Sequence, residues 1–138
     1  MSLWPTLTVA DVDASLAFYS ERLGFKPDLR LQDPHGRTYM GSVEVGDTVI
    51  MFESRDRNDR STTKPGAGCG IRLTVLLPPD YDIDTYYSGL RRQQVPIACE
   101  IGNRFWGNRD FTVCDPDEYH LTFARQVRAH PRTVGTTP

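Results

Sequence analysis

Residues 105–123 restrict the possible folds of this chain more than any other stretch. They read Phe-Trp-Gly-Asn-Arg-Asp-Phe-Thr-Val-Cys-Asp-Pro-Asp-Glu-Tyr-His-Leu-Thr-Phe. Phe111 and Val113 alternate with Asp110, Thr112 and Cys114; Tyr119, Leu121 and Phe123 alternate with His120, Thr122 and Ala124. A period of two is that of a half-buried antiparallel hairpin. Asp115-Pro116-Asp117-Glu118 supplies the reversal, with Pro116 suited to the second position of a type I turn. One face of such a hairpin must pack on something apolar. The other carries small and polar groups on which a ligand could lie.

The chain before it supplies the partners. Trp4 to Val9 reads as a strand, with Leu7 and Val9 facing one way and Trp4, Thr6 and Thr8 the other. Asp11 is placed to cap a helix whose apolar stripe is Val12, Leu16, Tyr19 and Leu23, closed by Gly24. Phe25 to Leu31 continues as an extended segment broken by Pro27. Thr38–Val45 and Thr48–Glu53 form a hairpin about Gly46-Asp47, a dipeptide that suits a two-residue loop. Residues 54–70 are polar and rich in glycine and proline, the composition of a linker. The order then repeats: a strand over 71–77, a helix over 82–93 with Ile83, Tyr86, Tyr87 and Leu90 on its stripe, a short strand over 95–99, a loop over 102–104, and the final hairpin. Leu7-Thr8-Val9 matches Leu73-Thr74-Val75, and Tyr19-Ser20 matches Tyr87-Ser88. Matched order about a central linker predicts an internally duplicated α+β fold, βαβββ twice. The expected domain covers residues 1–126, with modules over 3–54 and 70–126 and a linker over 55–69; a tail follows over 127–138.

With 138 residues and a formal net charge of −2, the chain has no basic excess to recommend nucleic acid as a partner. Its three cysteines are widely spaced and odd in number, which suits buried free thiols in a reducing cytosol better than a disulfide framework or a zinc site. No apolar run is long enough to span a membrane, and Pro5, Thr6 and Thr8 interrupt any signal-peptide core. A cytoplasmic location is expected, with no membrane partner.

Three runs together carry a family resemblance: Leu7-Thr8-Val9-Ala10-Asp11-Val12-Asp13-Ala14-Ser15-Leu16-Ala17-Phe18-Tyr19, then Leu23-Gly24-Phe25, and the stretch from Phe105 to Phe111 followed by Asp115-Pro116-Asp117. The chain resembles the glyoxalase, bleomycin-resistance and dioxygenase superfamily, also called vicinal oxygen chelate proteins. The resemblance implies paired βαβββ modules whose sheets curve around a cleft, and a homodimer. In members that are metalloenzymes, histidine, glutamine or glutamate on four strands holds a divalent metal. The matching positions here are Trp4, Met51, Gly70 and Thr122, none a usual ligand for such an ion. Glu53 and His120, two residues from Met51 and Thr122, are weak catalytic or ligand candidates. In the familiar turn a glycine stands where this chain has Glu118. If that position needs a positive φ, the strain is on the order of 1 kcal/mol.

The implied cleft would be lined by Trp4, Met51, Arg72, Trp106 and Thr122, with Tyr39 and Arg109 as further candidates. Aromatic faces and a thioether make an adaptable apolar slot, and arginine can fix an anionic or planar group. The expectation is a small-molecule binding protein of the bleomycin-resistance type, holding a planar organic ligand without a metal or other cofactor. Two alternatives stand beside it. One is a divalent-metal-dependent lyase or extradiol-type dioxygenase with a non-standard site near Glu53 and His120. The other is a dimer with a purely structural role.

Overall fold

The computed structural model describes residues 1–55 and 71–129. The linker over 56–70 and the tail from 130, and with them Cys69, Gly70 and His130, lie outside the described residues. The chain divides into two compact units: Met1–Ile71 with Asp115–Tyr119, and Arg72–Cys114 with His120–Pro138. Each is built on one βαβββ module of the α+β class.

In the first unit, β1 (Thr6–Val9) leads into α1 (Val12–Ala17) and a π-helical turn, Phe18–Arg22. Asp11 caps the helix by accepting the Ala14 N–H at 3.1 Å. Val12, Leu16, Tyr19 and Leu23 are all buried, as their spacing predicts. Gly24 takes φ +87°, the left-handed conformation that ends a helix, and the Phe25 N–H reaches back to the Tyr19 carbonyl at 2.9 Å. Three strands follow: β2 (Lys26–Gln32), β3 (Thr38–Val45) and β4 (Thr48–Ser54). The sheet order is β1-β4-β3-β2, with β1 parallel to β4 and the other pairs antiparallel. The extended segment at Pro27 is a full strand of seven residues. Proline is tolerated because β2 is an edge strand and its register shifts beside Pro27.

One face of this sheet carries the helix. Leu7, Val43, Ile50 and Phe52 are buried there in the core. Gly41 sits under the helix: a Cβ at that position would stand 2.9 Å from Leu16 Cδ1. Gly41→Ala should therefore cost about 1 kcal/mol in urea unfolding, the low end for overpacking, because the leucine tip can move a little. An unchanged midpoint would mean that the helix is free to lift.

The second unit repeats the plan. β5 (Arg72–Leu76), α2 (Ile83–Arg92), β6 (Ile97–Asn103), β7 (Asn108–Cys114) and β8 (His120–Gln126) form a sheet of order β5-β8-β7-β6, with β5 parallel to β8. Asp82 caps α2 through the Thr85 N–H at 3.1 Å. Ile83, Tyr87 and Leu90 are buried, and Tyr86 and Tyr87 pack on Phe111. The expected loop over 102–104 is for the most part strand: Gly102 pairs with Asp110 and Asn103 with Arg109. Irregular register between Ile97, Cys99 and Gly102 lets β6 bend and continue.

The turn after β7 belongs to the first unit. Asp115, only 4% exposed, accepts the Tyr19 hydroxyl at 2.8 Å and the backbone N–H groups of Asp117 and Tyr119 at 2.8 and 2.9 Å. Tyr119 donates its hydroxyl to the Thr8 carbonyl at 3.0 Å, and Asp117 accepts the Ala10 N–H at 2.9 Å. Glu118 takes φ +69°, so the strained geometry is the one adopted. Glu118→Gly should raise stability by about 1 kcal/mol, read as a higher urea midpoint at unchanged slope. A neutral or destabilising result would show that the glutamate side chain compensates.

Candidate functional site

Strand alternation gives each sheet a face opposite its helix, and the sequence candidates divide between these faces and other places. In the first sheet the hairpin register pairs Met51 with Ser42, Glu53 with Met40, and Val49 with Glu44; Leu29 and Leu31 of β2 lie opposite Ser42 and Met40. The helix-free face therefore gathers Leu29, Leu31, Met40, Val49 and Met51, with Glu53 at one end. All of these are half-buried or exposed. Glu53 accepts the Thr8 hydroxyl at 3.3 Å. Two thioethers among branched aliphatic groups form a deformable apolar surface.

Tyr39 is placed differently. It shares the parity of Gly41 and Val43 and so faces the α1 side, whereas Met40 shares the face of Met51. Met40, Leu29 and Leu31 escaped the sequence reading, although the two-residue loop at Gly46-Asp47 already places Val45 opposite Thr48 and, by counting back, Met40 opposite Glu53. Trp4 lies just ahead of β1 and is 55% exposed.

In the second sheet, Arg72, His120 and Cys114 occupy one row across β5, β8 and β7. Thr74, Thr122 and Thr112 form the next row on the same face. Thr122 and Thr112 are buried, and their hydroxyl oxygens are 2.7 Å apart. Thr122 thus belongs to a buried hydroxyl pair. Arg72 and His120 are exposed.

Arg109 does not share that face. Its guanidinium grips Asp84 in the first turn of α2 through two bonds of 3.2 and 2.6 Å, and reaches Asn103 at 3.0 Å. Asp84 is held below the usual carboxylate range by this pairing. Arg109 and Thr122 thus stand on opposite faces of β7 and β8, and the ion pair with α2 sets the orientation of Arg109. Trp106 lies in the turn before β7, 39% exposed, with its ring edge-on to Phe105 at 4.8 Å.

Beside the start of α1 the first unit has a polar cavity of about 290 Å³, walled by Asp11, Asp13, Arg37, Thr38 and Ser54. A forked bond from Arg30, at 2.9 and 3.2 Å, takes both carboxylate oxygens of Asp13 and lowers its pKa. None of the sequence candidates lines this cavity. Among the described residues no three histidine, cysteine, aspartate or glutamate side chains come together as a metal site requires. No helix among them is long and apolar enough to cross a membrane.

Residues 3–123 match the model of the Glyoxalase/Bleomycin resistance protein/Dioxygenase superfamily, and the chain belongs to that family. Two kinds of relative stand out. A bleomycin resistance protein of Geobacillus stearothermophilus is 26% identical over 136 residues, spanning 91% of this chain and 96% of the relative. Among solved structures, TnmS3, an antibiotic binding protein from Streptomyces sp. CB03234, shares 23% identity and a TM-score of 0.70, covering 91% of this chain and 97% of its own. TioX from Micromonospora sp. ML1 superposes with a TM-score of 0.71 at 18% identity, covering 91% and 98%. At these identities the structural likeness establishes the fold.

Proposed function

We propose that this protein binds a planar organic molecule and sequesters it, without a metal, as a homodimer of the bleomycin-resistance type. The observation that carries the reading is the helix-free face of the first sheet, where Leu29, Leu31, Met40, Val49 and Met51 present apolar side chains that are not fully buried. Such a surface suits a flat aromatic ligand, and the nearby Glu53 carboxylate suits a cationic substituent on it. Kinship with a bleomycin resistance protein and the fold shared with an antibiotic binding protein support the same class.

The test is a fluorescence titration of the purified protein with bleomycin and a panel of planar aromatic compounds, run beside thermal-shift measurements. Saturable quenching of Trp4 or Trp106 is expected. Met51→Asp should weaken binding by at least ~10-fold, about 1.4 kcal/mol. Absence of both quenching and thermal shift across the panel would overturn the reading. Elemental analysis of the same preparation decides the metal question: stoichiometric zinc, nickel, manganese or iron, lost on His120→Ala, would replace the binder with a metalloenzyme.

A further inference from the structure

The helix-free face of the second sheet carries a row of side chains that binding alone does not require. Cys114 stands directly opposite His120 across the antiparallel β7–β8 pair, and Arg72 stands opposite His120 across the parallel β5–β8 pair. Partners of this kind point to the same side of a sheet, with Cβ atoms about 4.5–5.5 Å apart across an antiparallel pair. The three residues thus share one row on adjacent strands, with His120 between Cys114 and Arg72. Cys114 is half-buried and in no disulfide, while His120 and Arg72 are exposed. The neighbouring row is three threonines, so no carboxylate separates these groups from one another on that face.

We propose that Cys114 is a nucleophilic thiol that, with His120 as its base and Arg72 as an oxyanion partner, adds covalently to α,β-unsaturated carbonyl compounds. The imidazole takes the thiol proton, and the sulfur electron pair forms a C–S bond at the β-carbon. The π pair of the C=C bond shifts to give an enolate. Its oxygen lies toward the Arg72 guanidinium, whose strand runs two spacings, about 10 Å, from the cysteine strand, a gap that the enone and the arginine side chain span together. The imidazolium then returns the proton to the α-carbon. The addition is complete in atoms and electrons and consumes no oxidant or other reactant. This step goes beyond the binding reading, which needs no covalent bond and no base.

Cys99 provides an internal comparison. It is the more exposed thiol and has the Arg104 guanidinium 3.4 Å from its sulfur, yet that guanidinium is already paired with Asp110 at 2.7 Å. Exposure alone would make Cys99 the faster thiol; a base opposite the sulfur would make it Cys114. The experiment treats the full-length protein with methyl vinyl ketone and follows adduct formation at each cysteine by peptide mass mapping. Cys114 should react at least ~10-fold faster than Cys99. His120→Gln should slow Cys114 by ~10²-fold, the lower range for a positioned base, and leave Cys99 unchanged. Arg72→Gln should slow Cys114 by a smaller factor. Thermal melting checks that each variant is folded, and His120→Asn repeats the test with a second side chain. A faster Cys99, or a Cys114 rate indifferent to His120, overturns the proposal. Bleomycin titration of Cys114→Ser separates the two readings, because loss of the thiol should leave non-covalent binding intact.

Discussion

Asp115→Ala should destabilise the protein by about 3 kcal/mol, because hydrogen bonds to a charged group are worth roughly 1.5–3 kcal/mol each and their loss strands buried donors. The Tyr19 hydroxyl and the N–H groups of Asp117 and Tyr119 all depend on this carboxylate. No water can replace it easily, since Asp115 and Tyr19 are both buried. The corresponding fall in melting temperature is about 10 °C for a chain of this size. Asp115→Asn is the informative contrast. Its amide oxygen keeps both backbone donors, and its NH2 group can turn toward the Tyr19 oxygen, so the loss should stay under about 1 kcal/mol. Burial already pushes the Asp115 carboxyl above its usual pKa, which shows that the site penalises the charge while using the oxygens. Tyr19→Phe should fall between the two, at roughly 1–2 kcal/mol. Equal losses in Asp115→Ala and Asp115→Asn, measured by urea unfolding, would mean that the charge itself holds the turn.

Much of this architecture was legible in the residues. The stripes Val12–Leu16–Tyr19–Leu23 and Ile83–Tyr87–Leu90 fix both helices, and the alternation over 111–113 and 121–123 fixes the last two strands. Asp11 announces the start of the first helix because few residue types can satisfy those free N–H groups, whereas Asp82, expected inside the second helix, is its cap. The length of β6 was not legible, because an irregular strand breaks the period on which the reading depends. The side-chain placements divide on the same principle. Met40 follows from counting back from the Gly46-Asp47 turn, since strand parity is a local property. Arg109 does not: its face of β7 is readable, but its partner Asp84 lies 25 residues away on α2 and meets it only through packing. The row of Arg72, His120 and Cys114 needs two registers, one parallel, and a parallel register leaves no turn from which to count.

Raising the pH should expose the same interior from another direction. Tyr19 holds its phenolic proton well above the ordinary range, first because it is buried and then because the Asp115 charge faces it. Burial raises Tyr86 as well, with a smaller effect from Tyr81. A folded-state pKa above the unfolded one contributes stability that is whole below about pH 10 and is lost as the pH climbs toward the folded value. Each tyrosine then costs about 1.36 kcal/mol for every pH unit between its unfolded and its folded value. Stability should therefore fall as the pH rises past about 10, and where the fold gives way the phenolate absorbance of Tyr19 and Tyr86 should rise together with the loss of circular dichroism. The two residues report on different units, Tyr19 on the first and Tyr86 on the second. Tyr19→Phe should flatten the alkaline loss of the first unit while lowering its stability at neutral pH, and Tyr86→Phe should flatten that of the second. Titration of both tyrosines near pH 10 with the dichroism intact would show that hydroxide reaches them without unfolding, and that their burial is not maintained in solution.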